Sequence, residues 1–412
     1  MKFNEFRKTK KFNILLTSVI LAIALAITIV SGIHFHKFST YETKFVFDET
    51  LPGHSIEKFS KYSPKLEGTV GDSNIYIIDS GVAGPSILIM GGTHPNEPSG
   101  QLTATLLLEN IQVTKGKVFI ITEANKSAFT HSNPLEASSE YYTIKNQFGE
   151  DRVFKFGSRA TNTNEQWPNP DIYVHATSGQ KLSSTDTRNL NRAYPGSENG
   201  TYTERVAYAI TECIKQNNIT ITIDLHEASP EYLTINAIIC NSVYMADESG
   251  SSTAAKKIAT RAQMAMEDED VNIKVEDSPA NLHGLTHREL GTYTNSLVFL
   301  CETSNASQGK IRGAFTSELI TSGNDKYYNF LVERDNSDND PTNNVIYAAP
   351  CDISIRVARH VYSIMSIINA YNKVYNTLYG LPDDVKDLGK LEVSGIPTYE
   401  EIVTNGIGSY LK

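Results

Sequence analysis

The sequence has 412 residues, enough to bury a large core and to hold one big domain or two ordinary ones. Hydrophobic residues make up 40% and charged residues 20%, the balance of a globular protein rather than a disordered one. The formal charge is −10, and no long basic stripe follows the extreme N-terminus, which argues against nucleic acid as a partner.

The first eleven residues, MKFNEFRKTKK, carry five Lys/Arg and one Glu. Residues 14–33, ILLTSVILAIALAITIVSGI, then run without a charge. At about 1.5 Å per residue such a helix spans roughly 30 Å, one hydrocarbon core. A cleaved signal peptide has an apolar run of roughly 7–15 residues ending in small residues. This run is longer and exits into HFHKFS, so an uncleaved single-pass anchor in the lipid bilayer is expected. The positive flank places residues 1–13 in the cytoplasm and everything after residue 35 outside the cell membrane. His34 and His36 beside that run read as interfacial rather than metal-binding.

Residues 34–70 read as a stalk and lead-in, residues 71–380 as the main domain and residues 381–412 as a C-terminal extension. NIYIID and SILIM read as short strands, 99–110 as a helix and KVFIITEAN as a strand. A long stretch over 127–185, rich in Ser, Thr, Asn and Pro, follows; its length points to a functional role or to small elements of its own. A helix near 202–217, a strand over 219–225, a strand in YLTINAIIC, a helix over 252–268, a strand over 295–301 and a long late helix from Asp352 complete the series. DNSDNDPTNN, 335–344, reads as a solvated loop. Strands alternating with helices give an α/β fold around a mainly parallel sheet. Cys213, Cys240, Cys301 and Cys351 are widely spaced and read as small buried side chains.

In open α/β sheets, sites gather at the carboxyl ends of strands. Three predicted strands end in side chains able to do chemistry. SILIMGGTHPNE gives His94 and Glu97; ITITIDLHEA gives Asp224, His226 and Glu227; NSLVFLCETSN gives Glu302. Two histidines and a carboxylate can hold a zinc ion and leave one position open. A further carboxylate can act as general base. Gly91 and Gly92 let the chain bend after the first strand. Asp224, two residues before His226, is a candidate partner for that imidazole. DTRNLNRAYPG, 186–196, adds Arg192 to clamp a substrate carboxylate, Asn191 to bond beside it, and Arg188 to polarise a carbonyl. Arg312, soon after Glu302, is a further candidate for reading a carboxylate. NLHGLTHREL holds His283, His287, Arg288 and Glu289; His287 and Arg288 could line the pocket, or the segment is an exposed polar loop.

GGTHPNEPSG, DTRNLNRAYPG, IDLHEA and FLCETS, in that order, resemble the succinylglutamate desuccinylase/aspartoacylase family within the zinc carboxypeptidase superfamily. The resemblance covers roughly residues 75–330. It implies a mixed, mostly parallel sheet with helices on both faces, and one zinc ion per chain held by His94, Glu97 and His226. It further implies that Asn191 and Arg192 bind a substrate carboxylate and that Glu302 is the general base. The expected activity is hydrolysis of an amide next to a carboxylate, with a small molecule or peptide as substrate. The alternatives are a metallocarboxypeptidase acting on peptides or cell-wall peptides, and an inactive binding protein on the same fold. Glu227 has no assigned role.

Overall fold

A computed structural model describes residues 7, 9–132, 139–231, 236–240, 251–279, 281–310, 312–330, 351–378 and 383–412. The loop expected over 335–344 and residues 232–235 of YLTINAIIC lie outside them. The chain divides into an N-terminal unit ending at Glu42 and a second unit from Thr43 to Lys412.

The first unit is one helix, α1 (Lys10–Thr40), long and apolar enough to cross a membrane. Its large apolar side chains are exposed on all sides, among them Leu21, Leu25 and Val30. An exposed apolar surface of that extent is stable in lipid and costly in water.

The second unit is built on an eight-stranded sheet. Its strands are β1 (His54–Lys58), β2 (Asn74–Asp79), β3 (Ser86–Met90), β5 (Lys117–Ile121), β10 (Ile221–Ala228), β11 (Ala237–Cys240), β12 (Lys274–Asp277) and β13 (Leu297–Ser304). Two-stranded ribbons use β4 (Gln112–Lys115) with β14 (Glu392–Ser394), β6 (Tyr141–Lys145) with β7 (Asp151–Lys155), and β8 (Ile172–Val174) with β9 (Lys181–Ser183). The spatial order in the sheet is β1-β2-β5-β3-β10-β13-β11-β12. The central run β5-β3-β10-β13 is parallel, and β11 pairs β12 in parallel; β1, β2 and the β11–β13 pair add antiparallel contacts. The sheet is therefore mixed and mostly parallel. Residues 54–58, inside the expected lead-in, form its edge strand.

Helices α2 (Pro98–Asn110), α3 (Tyr202–Gln216), α4 (Ser251–Glu267), α5 (Thr286–Tyr293), α6 (Ser317–Ser322), α7 (Ile353–Val374), α8 (Asp383–Asp387) and α9 (Tyr399–Asn405) surround it. A capping box between Thr201 and Glu204 opens α3, and the Asp352 side chain caps α7.

Strand alternation sorts the two faces. Ile221, Ile223, Leu225, Phe299 and Cys301 join a core with Leu102 and Leu106 of α2 and Val357, Val361 and Ile364 of α7. Leu88, Met90 and Val298 join the opposite core with Val206 and Ile210 of α3 and Leu290 of α5. Ile402, Ile407 and Leu411 bury on the α7 side, so the last residues belong to that core. The four cysteines are buried and unpaired.

β10 and β13 run three residues further than their apolar runs suggest, through Ala228 and Ser304. His226, Glu227 and Glu302 therefore sit in strand register rather than past it. The polar stretch over 127–185 contributes the β6–β7 and β8–β9 hairpins.

Candidate metal centre and active site

Strand parity places the chemistry. On β10 the odd residues 221, 223 and 225 face α7, so Asp224 and His226 face the α3–α5 side. On β13 the same parity puts Glu302 on that side. The register pairs His226 with Glu302 across adjacent parallel strands. β10 also pairs with β3, whose end delivers the loop carrying His94 and Glu97.

That loop turns at once. Gly92 has φ +71°, a backbone that favours glycine, while Gly91 faces the Gly100 carbonyl too closely to admit a Cβ. The Glu97 amide donates to the His94 carbonyl at 2.9 Å, closing the turn. Glu97 stands at the N-cap of α2, yet its carboxylate makes no cap bond. It is directed instead at the two imidazoles.

His94, Glu97 and His226 are all buried, and one ligand atom from each lies within 4.8 Å of the others. Glu97 Oε1 is 2.9 Å from His94 Nδ1, and Oε2 is 2.9 Å from His226 Nδ1. The two Nδ1 atoms are 3.1 Å apart.

The far side of each ring fixes its tautomer. Asn189 Oδ1 accepts from the Asn191 amide at 3.0 Å, so that atom is an oxygen and His94 Nε2, 2.9 Å away, must donate to it. His226 Nε2 donates to Asp224 Oδ2 at 2.8 Å. Thr286 Oγ1 donates to the same oxygen at 2.6 Å, and Thr93 Oγ1 to Oδ1 at 2.8 Å. Both imidazoles thus turn Nδ1 toward one point beside a carboxylate. Such a group needs a positive charge, which a proton on His226 and the Arg159 guanidinium supply when no metal is bound.

The electrostatics agree. Burial, with Arg159 nearby, pushes His94 down to about 4 despite Glu97. Burial opposes protonation of His226 too, but Asp224 and Glu97 raise it well above the usual histidine value. Burial would raise Glu97, yet His94 and Arg159 hold it well below the carboxylate range. The donor set of two nitrogens and a carboxylate oxygen suits zinc. Tetrahedral zinc with Zn–N of about 2.0–2.1 Å separates two ligand nitrogens by roughly 3.3 Å, close to the spacing present.

Glu302 is half-buried, and its Oε2 is buried with no hydrogen-bond partner among the described residues. Burial raises its pKa to about 8, with Glu97 adding to the rise and His226 opposing it.

The three expected arginines donate to backbone carbonyls. Arg188 donates to the Thr161 carbonyl, and burial lowers its pKa. Arg192 donates to the Asn191 carbonyl at 2.6 Å and lies 3.7 Å from Asp186. Asn191 Oδ1 accepts from the Thr286 amide at 2.8 Å, which connects it through Thr286 to Asp224. Arg312 stacks on Phe315 at 3.8 Å and donates to the Ser307 carbonyl at 3.0 Å. His287 is buried and bonds Ser278, and His283 pairs with Glu289 at 3.0 Å.

Two contributors, Arg159 and Asn189, were not singled out from the sequence, and a third, Glu227, was named without a role. Arg159, in the polar stretch, contacts Glu97 Oε1 at 2.5 Å. Nothing in its neighbourhood signals that reach. Asn189 lies inside DTRNLNRAYPG, two residues from Asn191, a spacing that could have marked it. Glu227 points to the rear face, where Arg356 of α7 contacts it at 2.8 Å. Its position beside His226 makes that direction predictable from parity alone.

No family model matches the chain, and no curated protein matches it. Solved structures similar to it include an aspartoacylase family protein from Mesorhizobium loti, 17% identical, with a TM-score of 0.36 over 64% of this chain and 66% of that one. A metallo-carboxypeptidase from Burkholderia cenocepacia is 12% identical, with a TM-score of 0.38 over 62% of this chain and 57% of that one. A product-bound cell shape determinant protein from Helicobacter pylori is 11% identical, with a TM-score of 0.40 over 85% of this chain and 60% of that one. The matched part thus spans less than two thirds of each of these structures.

Proposed function

We propose that the chain is a membrane-anchored, zinc-dependent amidohydrolase that cleaves an amide bond beside a substrate carboxylate, of the N-acyl amino acid deacylase type. The observation that carries this reading is the pair of Nδ1 atoms, 3.1 Å apart and both facing Glu97, with Glu302 Oε2 alongside and without a partner among the described residues. His94, Glu97 and His226 would hold one zinc ion per chain. Zinc bound there supplies acidity to water, lowering its pKa to about 7, and polarises a carbonyl.

The protein's own residues do the rest. Asn189 and Asp224 keep the two rings oriented through their Nε2–H bonds. The positive charge of an occupied site would keep Glu302 ionised, so that its Oε2 takes a proton from the attacking water as the carbonyl carbon gains its oxygen. Glu302 then delivers that proton to the amine nitrogen as the C–N bond breaks, leaving a carboxylic acid and an amine. Arg192 and Asn191 would bind the substrate carboxylate, Arg312 would be a further reader of a carboxylate, and Arg188 would polarise the scissile carbonyl. α1 holds the N-terminus on the cytoplasmic side of the cell membrane and the catalytic unit outside.

The test is metal analysis of the full chain in detergent, followed by a screen of N-acyl amino acids and short peptides. One zinc per chain with release of a free amine from N-acyl amino acids supports the reading. Cleavage confined to peptides moves the assignment to a carboxypeptidase. A chain that binds zinc and cleaves neither class fits the inactive binding protein.

A further inference from the structure

The rear face of the strands that carry the site is unusually polar. Glu227 and Thr303 are register partners on β10 and β13, immediately after the pair His226 and Glu302. Parity sends them to the opposite face, under α7. Arg356 of α7, fully buried, donates to Glu227 Oε1 at 2.8 Å. Its other nitrogen donates to the Ile320 and Thr321 carbonyls. Asn305 Nδ2 donates to Glu227 Oε2 at 2.7 Å. Arg359 donates to Thr303 Oγ1 at 2.8 Å. Finally, the Glu227 amide donates to Glu97 Oε2 at 3.1 Å.

A buried ion pair is a poor stabiliser, because desolvation of both charges offsets their attraction, and an apolar pair of like volume often serves as well. Stability alone therefore does not account for a guanidinium–carboxylate pair placed behind the site. We infer that α7 is a positioning brace: Arg356 and Arg359 grip Glu227 and Thr303 and thereby fix the placement of His226, Glu97 and Glu302 on the other face. The inference rests on the zinc-site reading above. Arg356 touches neither substrate nor metal; it acts through Glu227, whose side chain is held from behind while its amide holds a ligand carboxylate.

The test uses the full chain in detergent, with zinc and cobalt as probes. The double variant Glu227→Gln/Arg356→Met removes both charges and leaves an acceptor for Asn305. It is expected to melt with the unsubstituted, metal-free protein, yet to bind zinc about 10–100-fold more weakly in chelator competition, the range typical of lost outer contacts to a metal site. The visible spectrum of its cobalt form is expected to change, reporting altered ligand geometry. A double variant with unchanged zinc affinity and an unchanged cobalt spectrum overturns the inference. Should that variant fail to fold, Arg356→Lys keeps the charge and loses the forked bonding. Weaker zinc binding in Arg356→Lys supports the brace, and unchanged binding overturns it. If the unsubstituted chain binds no zinc, the site reading fails, and that result is distinct from failure of the brace.

Discussion

His226 and Glu302 are register partners on adjacent parallel strands, so their side chains leave the same face of the sheet roughly 5 Å apart at the backbone. Glu302 keeps a buried oxygen there without a partner among the described residues. Replacing it with Gln preserves shape and removes the proton acceptor. Glu302→Gln is expected to lower kcat by about 10²–10⁴-fold, the usual contribution of a general base, while zinc stays near one per chain. Parallel measurements of turnover and metal content check both halves.

The same carboxyl gives a pH prediction for the metal-free protein. Its folded pKa is about 8 against an ordinary value of 4.5. The folded state holds this proton more tightly than the unfolded state, so its contribution to stability is present at low pH and is lost as pH rises. Between about pH 4.5 and 8, unsubstituted protein should lose stability relative to Glu302→Gln, and the difference should level off above pH 8. Denaturant melts of both proteins across that range measure it. A difference that grows as pH falls would contradict the placement of this group.

Asp224 and Asn189 fix which nitrogen of each imidazole faces the metal position. Asp224→Asn and Asn189→Ala should each weaken zinc binding by about 10–100-fold without changing its stoichiometry. Competition against a chelator of known affinity reads this directly.

Gly92 has φ +71°, and a Cβ there would meet the Thr122 carbonyl oxygen at 2.8 Å. Gly92→Ala is expected to cost about 1–3 kcal/mol of stability and to loosen the turn that presents His94. Chemical denaturation reads the stability, and zinc affinity reads the turn.

Much of this arrangement is written in local pattern. SILIM followed by two glycines, His94 and Glu97 announces a strand, a sharp turn and paired donors, because each depends on neighbours in sequence. ITIDLHEA carries its alternation openly, and that alternation alone separates Asp224 and His226 from Glu227. Other parts depend on contacts between distant segments. Arg159 sits in a polar stretch whose path no periodicity describes, and it reaches Glu97 only after that stretch folds back. Arg356 lies in an amphipathic helix where a cation reads as a surface residue, yet it is fully buried against Glu227. The edge strand over His54–Lys58 is short and half-exposed, so its sequence carries little of the apolar alternation that reveals the central strands.

The most direct test is zinc content of the full chain in detergent beside its His226→Ala variant. The account predicts about one zinc per unsubstituted chain and loss of that zinc, with an intact fold by circular dichroism, when His226 is removed. Equal zinc in both proteins, or none in the unsubstituted chain, would contradict it.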